Sequence, residues 1–155
     1  MISPELLRRF PFFAHLDDTQ LKAIAMLSNE VAYAKGETLI QTDQPAHALF
    51  ILVEGLIDLH YVVIDRDNPT LRKDFYVGHI NPGEPFGISA LIEPYQYTAT
   101  ALANSLSRVI EIAAPALRTL CEKDLKLDSV LVHHIATTAL SRLHDTRLQL
   151  IGTHS

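Results

Sequence analysis

The stretch GEPFGISALIEPYQYTAT, Gly83 to Thr100, carries the residue types of a turn that could receive an anion. Glycine in the turn lets the backbone come close to a ligand. The run after it, Ile88 to Ile92, suits a short helix whose leading N–H groups supply partial positive charge. Glu93-Pro94 breaks that run, and Thr98-Ala99-Thr100 begins a strand. A cation is what the stretch lacks. No Arg or Lys lies between Lys73 and Arg108, so any positive partner must come from outside it. Arg108, in the strand-like run SRVIEI, is expected to face solvent, and Glu93 beside a proline reads as a solvated loop acid. Tyr95 and Tyr97 either stack on a flat ligand or fill the cavity, and filling is the simpler use.

Other reactive side chains form no site of their own. There are 8 histidines, but His133 and His134 are adjacent and face different sides of a helix, while His60 and His79 fall in separate strands. They are expected to be surface or core histidines, with no metal and no cofactor. Ser89 has no base evident in sequence, and no nucleophile elbow, phosphate loop of the GxxxxGK type or metal-ligand run occurs. Asp17-Asp18 reads as a helix cap rather than an acid pair. The single cysteine, Cys121, is expected as a buried small hydrophobe on a helix. An enzyme is not expected.

The elements that position Gly83–Thr100 fall into three zones of one domain spanning residues 1–155. The first, residues 1–29, is helical, with Pro11 breaking it and Asp17 or Asp18 capping a second helix along Leu21, Ile24 and Ala25. The second, residues 30–113, is β-structure. The runs EVAYA, ETLIQT, HALFILVEG, LIDLHYVVI, DFYVGHI and SRVIEIA are rich in β-branched and aromatic residues and separated by Gly and Pro turn signals. Such short, regularly spaced strands suggest an antiparallel sandwich or jelly roll; IDRDNPTLRK is a solvated hairpin tip. The third zone, residues 114–151, is helical: Pro115 suits a first turn, and a longer helix from near Asp128 is expected to stop at Gly152. On it Val132, Ala136, Ala139, Leu143, Thr146 and Leu150 step by fours and threes, a seam of small and apolar residues for a second helix. A second stripe, Leu131, Ile135 and Leu140, is expected to pack on the roll. A homodimer through the seam is the expected assembly.

Composition excludes several classes. The 155 residues are 48% hydrophobic, enough for a buried core. The net charge is −5, from 18 acids and 13 Lys or Arg, and no basic stripe marks a nucleic-acid surface. No apolar run approaches the ~18–20 residues of a membrane span. The N-terminus MISPELLRRFPFF is no signal peptide, and one cysteine fits a reducing cytoplasm.

Three stretches resemble the cyclic-nucleotide-binding domain family: LLRRFPFFAHLDDTQLKAIA (Leu6–Ala25) its N-terminal helices, KGETLIQTDQPAHALFILVEGLIDLHY (Lys35–Tyr61) its strand–turn–strand signature, and INPGEPFGISALI (Ile80–Ile92) the lead-in to its phosphate-binding cassette. The resemblance implies an antiparallel β-roll with N-terminal helices and a long C-terminal helix, and a regulatory role like that of catabolite gene activator-type transcription regulators. In those a helix-turn-helix domain follows the pairing helix; here the sequence ends at Ser155, so a DNA-reading part is expected to be absent or to act in trans.

Laid on the family cassette, within residues 83–100, Phe86 and Gly87 match. Ile88 replaces the glutamate that accepts from the ribose, Ser89 and Ala90 continue the short helix, and Tyr97 stands at the phosphate-pairing arginine. Thr98 and Ala99 match the small strand start. Losing two charge-assisted groups weakens a cyclic nucleotide by about 3–6 kcal/mol, or on the order of 10²–10⁴-fold. The resemblance therefore implies a sensory domain disfavoured for cyclic AMP, with another small phosphorylated effector, a protein partner or no ligand as alternatives. Phe86, Gly87, Ile88, Ser89, Ala90, Tyr97, Thr98 and Ala99 are the residues expected to line any ligand.

Overall fold

A computed structural model describes residues 1–153; His154 and Ser155, the end of the chain, lie outside the described residues. The Ser3 hydroxyl accepts from the Glu5 N–H at 3.2 Å and opens helix α1 (Pro4–Arg8). Pro11 starts a single 3-10 turn, Pro11–Phe13, that sends Phe12 and Phe13 into the core. Asp17 caps helix α2 (Asp18–Met26) through a capping box. Its carboxylate accepts from the Gln20 N–H at 2.8 Å, and Gln20 Oε1 accepts from the Asp17 N–H at 2.9 Å. Of the two candidate acids, Asp17 is the cap; Asp18 pairs with Arg8 instead.

Eight strands follow: β1 (Ser28–Tyr33), β2 (Thr38–Ile40), β3 (Ala48–Glu54), β4 (Ile57–Ile64), β5 (Arg72–Ile80), β6 (Pro85–Phe86), β7 (Thr100–Ala103) and β8 (Ser107–Ala113). They form two four-stranded antiparallel sheets, in the orders β1-β8-β3-β6 and β2-β7-β4-β5. Strand β3 lies between β8 and β6, with Ile51 opposite Ile110 and Phe50 opposite Phe86. Its residues Ala48 to Leu52 are all buried, which is why HALFILVEG reads as a continuous apolar run rather than an alternating one. Strands β4 and β5 pair from Ile57–Ile80 out to Ile64–Arg72, and the outer part of this hairpin exposes Tyr61, Ile64, Phe75 and Tyr76.

The roll closes onto two C-terminal helices. Pro115 sits in the first turn of α3 (Ala114–Lys123). Asp124 ends α3 and starts α4 (Leu125–Thr153): its carboxylate accepts from the Leu127 N–H at 3.0 Å and from Gln20 Nε2 at 3.1 Å. The Leu127 N–H and then Gln20 hold this carboxyl below its ordinary pKa, because both bonds favour the charged form. The capping box of α2 and the start of α4 thus share Gln20.

Helix α4 differs from the sequence expectation at three points. It begins at Leu125 rather than near Asp128, because Asp124 supplies the cap. It runs through Gly152 to Thr153, so Gly152 is not its stop. And Leu140, expected on the roll, is 67% exposed. Five residues past Ile135, it has turned about 140° away from the face that Leu127, Leu131 and Ile135 bury. Leu131 is fully buried, so Leu131→Ala should lower the unfolding free energy by about 2–5 kcal/mol in urea denaturation, while Leu140→Ala should change it by less than about 0.5 kcal/mol.

Candidate functional site

The cassette hangs from β3 and β6. Phe86 is fully buried, its ring stacked on Phe50 at 4.9 Å between centroids. Gly87 then takes a left-handed conformation, φ 69° and ψ 33°, and leads a 3-10 turn over Ile88–Leu91. A Cβ on Gly87 would stand 3.1 Å from Ile40 Cδ1, 3.2 Å from the Ala48 carbonyl oxygen and 3.2 Å from Phe50 Cδ2. Glycine is required here on both counts, backbone conformation and space. The Ala90 N–H donates to the Gly87 carbonyl at 3.1 Å and the Ile92 N–H to Ser89 at 3.1 Å, closing the turn.

Between this turn and α4 lies a hollow of about 250 Å³ lined by Ile40, Leu59, Phe86, Gly87, Ile88, Ser89, Tyr97, Thr98, Ala99, Ala101, Ala139 and Arg142. Of the eight cassette residues singled out in sequence, Ala90 is not among them; it is fully buried, and its carbonyl is turned toward α3. A larger groove of about 1000 Å³ opens beside the hollow, between α4 and the β4–β5 hairpin, and shares Leu59, Thr98, Ala99 and Arg142 with it.

Tyr97 is 2% exposed. Its hydroxyl donates to the Ala48 carbonyl at 2.6 Å and accepts from the Ala48 N–H at 3.0 Å. Its backbone is tied as firmly: the Asp43 N–H donates to the Tyr97 carbonyl at 2.8 Å, and the Tyr97 N–H donates to Gln44 at 3.0 Å. Burial pushes the phenol pKa up from its ordinary value, against the opposing pull of the Ala48 bond. The side chain is thus a filler and a strut, with its polar atom spent on β3.

Two arginines absent from the sequence expectation hold the cassette from outside. Arg118 on α3 donates from Nε to the Ala90 carbonyl at 2.7 Å and from Nη2 to the Ala46 carbonyl at 2.8 Å, with its guanidinium 4.0 Å from the Tyr95 ring centroid. Arg142 on α4 donates to the Pro85 carbonyl, the residue just ahead of the cassette's Phe86. Burial lowers its pKa, an effect that Glu84 and Asp145 oppose through space. A sequence signal existed for Arg142. It stands seven residues after Ile135 and eleven after Leu131, on the buried face of the helix.

The remaining sequence candidates fall elsewhere, apart from Ala139, which also lines the hollow. Of the seam residues, Val132 is partly buried, Ala136 and Ala139 are exposed, and Leu143 and Leu150 are 44% and 59% exposed. Arg108 does sit at the surface, where it bridges Glu30 at 2.6 Å and Glu54 at 2.9 Å. Cys121 is buried on α3, with burial pushing its thiol up to about 11. His60 pairs with Asp74 at 2.7 Å, His79 Nδ1 lies 3.1 Å from the Tyr76 hydroxyl, and His134 Nε2 lies 3.2 Å from the Ala14 carbonyl oxygen. Among the described residues no three His, Cys, Asp or Glu side chains gather as metal ligands. Among them, too, no helix is long and apolar enough to cross a membrane.

Residues 30–124 match the profile of the family described as "Cyclic nucleotide-binding domain". The chain belongs to that family, which is regulatory rather than catalytic. It is 22% identical over 117 residues to the cAMP-dependent protein kinase regulatory subunit of Dictyostelium discoideum, covering 76% of this chain and 35% of that one. Among solved structures it is 38% identical, at a TM-score of 0.81, to a proposed cyclic nucleotide-binding protein of Geobacter metallireducens GS-15, covering 93% of this chain and 100% of that one. The sensor domain of the transcriptional regulator DNR from Pseudomonas aeruginosa shares the fold, at 21% identity and a TM-score of 0.69 over 87% of this chain and 91% of that one. The chain spans well under half the length of the Dictyostelium relative.

Tyr97→Phe removes both bonds to Ala48 and should lower stability by about 1–3 kcal/mol in denaturant titration. The raised phenol pKa adds a pH signature. The folded state resists ionisation that the unfolded state undergoes near pH 10, so this contribution is full below pH 10 and is lost as pH rises through the folded-state value. The alkaline loss of stability should accordingly be smaller in the variant.

Proposed function

We propose that the chain is a non-catalytic sensory domain that holds cyclic AMP weakly or not at all and works as a homodimer through α4. The observation that carries the first part is Tyr97: the position where the family places its phosphate-binding cation holds a neutral phenol bonded to β3. Ile88 puts an alkyl chain where the ribose-accepting carboxylate belongs, and it lines the same hollow. A cyclic phosphate there would give up water without the fork that repays it. At about 250 Å³ the hollow is also smaller than the ~300–1,000 Å³ typical of small-molecule sites. The open groove of about 1000 Å³ beside it weighs toward a sensor over a ligand-free interaction module.

For the assembly, support comes from the outer half of α4. Leu140, Leu143, Leu148, Leu150 and Ile151 are each at least 44% exposed. Ala136, Ala139, Leu143 and Leu150 return to within about 40° of one line along the helix, roughly 80–140° from the line that meets the roll. Small residues at one end of that line allow a close helix pair, and leucines at the other supply the apolar area. The unpaired buried thiol of Cys121 fits a reducing cytoplasm. By analogy with the regulators among its structural neighbours, the domain would report to an output partner or to a DNA-binding part in the same or another chain.

Cyclic AMP at sub-millimolar concentration should leave the melting temperature unchanged in a thermal-shift assay; a rise of several degrees would refute the weak-site reading. Separately, Leu150→Glu, far from the hollow, should turn a dimer into a monomer in sedimentation velocity at micromolar concentration. A wild-type chain that already sediments as a monomer would dispose of the helix-paired dimer.

A further inference from the structure

We propose that the hollow beneath α4 receives a small monoanionic organic acid, its carboxylate held by Arg142 and its apolar body lodged against the roll. This rests on the sensor reading above and gives that sensor a ligand class. Among the described residues Arg142 is the one charged side chain lining the hollow; Ile40, Leu59 and Phe86 supply apolar wall, and Ser89 and Thr98 bring hydroxyls. A guanidinium offers five N–H donors in a planar fork, yet among the described residues its hydrogen bonding is to the Pro85 carbonyl alone. No carboxylate of the described residues lies within ion-pair distance of it; the six such contacts all belong to other side chains. Arg118 shows the contrast, because its Nε and Nη2 are both committed to carbonyls that tie down the cassette.

Charge and size set the ligand class. Glu84 and Asp145 flank Arg142 on the side of the large groove and line it together with His79 and His134, whereas none of these four lines the hollow. An anion therefore meets Arg142 from the hollow side, where no acid opposes it. One guanidinium neutralises one charge; a dianion would leave a buried charge unpaired. The planar fork matches a carboxylate in two parallel bonds. About 250 Å³ of mainly apolar space accepts a short alkyl or single-ring body rather than a nucleoside. Because Arg142 is on α4 and the hollow is in the roll, a bound acid would link the two, coupling occupancy to the placement of the helix.

The test is titration calorimetry of the whole chain with hexanoate and benzoate, with hexanamide and benzamide as neutral isosteres, and with inorganic phosphate and cyclic AMP. At least one carboxylate should bind and its amide should not. Arg142→Gln should weaken that binding by about 10- to 100-fold, the loss of a charge-assisted fork. Ala139→Leu, which enlarges a second side chain lining the hollow and keeps the guanidinium, should abolish it as well and serves if Arg142→Gln fails to fold. Failure of both carboxylates to bind, equal binding by Arg142→Gln, or phosphate binding as well as hexanoate would overturn the assignment. Tight cyclic AMP binding would instead sink the weak-site reading, whatever the carboxylates do.

Discussion

Tyr97 meets both backbone groups of Ala48 with a single hydroxyl, and the geometry of the pocket follows from that pair of bonds. Ala48 begins the most deeply buried strand of the roll, and its Cα partner Ala113 is the residue before α3. Fixing Tyr97 to it brings the segment after Glu93-Pro94 flat against β3 and sets one wall of the hollow. An arginine at this position would have to leave β3 and project a charge into the space the phenol ring now occupies. The two arrangements exclude each other: a side chain bonded to Ala48 cannot also reach a ligand's phosphate.

The cassette is then held from the helical side by bonds to its backbone rather than to its side chains. Arg118 takes the carbonyls of Ala90 and Ala46 and lies over Tyr95, so α3 grips both the 3-10 turn and the residue two places before Ala48. Arg142 takes the Pro85 carbonyl from α4. At the junction of these helices Asp124 caps α4 and accepts from Gln20, tying the N-terminal helices to the same point. A shift of α4 relative to the roll would therefore pull on Pro85, on the cap at Asp124 and on α2 together. Such a connected set of discrete contacts is what a two-state element needs if a ligand is to bias it.

Much of this architecture was legible in sequence, for identifiable reasons. Strands β1, β3, β4, β5 and β8 announce themselves because each is long enough for its apolar and β-branched run to stand out between Gly and Pro turns. Strand β6 does not: Pro85–Phe86 is two residues long, and what marks it is its pairing with β3 and the stacking of Phe86 on Phe50, neither of which is local in sequence. Family likeness pointed to the cassette stretch and to Ile88 and Tyr97 within it, but nothing local in YQYTAT says that Tyr97 folds onto β3 rather than onto a ligand. On α4 the apolar stripe Leu131, Ile135 and Leu140 coincides with the inner face as far as Ile135 and leaves it at Leu140, because apolar character recurs there at the wrong angle. The face that meets the roll continues through Thr138, Arg142 and Gln149, and Gln149 Nε2 donates to the Val77 carbonyl at 3.3 Å. It changes from apolar to polar without changing direction.

That change of character along one helix face has a physical consequence. Leu127, Leu131 and Ile135 are anchored by burial that water cannot replace, whereas the stretch from Thr138 to Gln149 meets the roll through hydrogen bonds that water can replace at little net cost. The helix is thus fixed at its first three turns and held more loosely over the pocket. A cation placed on the loose part acts differently from one on the cassette. On the cassette it would strengthen a ligand's hold on the roll alone; on α4 it makes the strength of binding depend on where the helix lies. By reciprocity, whatever shifts the helix, a partner helix included, must alter the affinity of the hollow by the same factor. A positive charge carried by the helix rather than by the loop therefore links the contents of the hollow to the placement of α4.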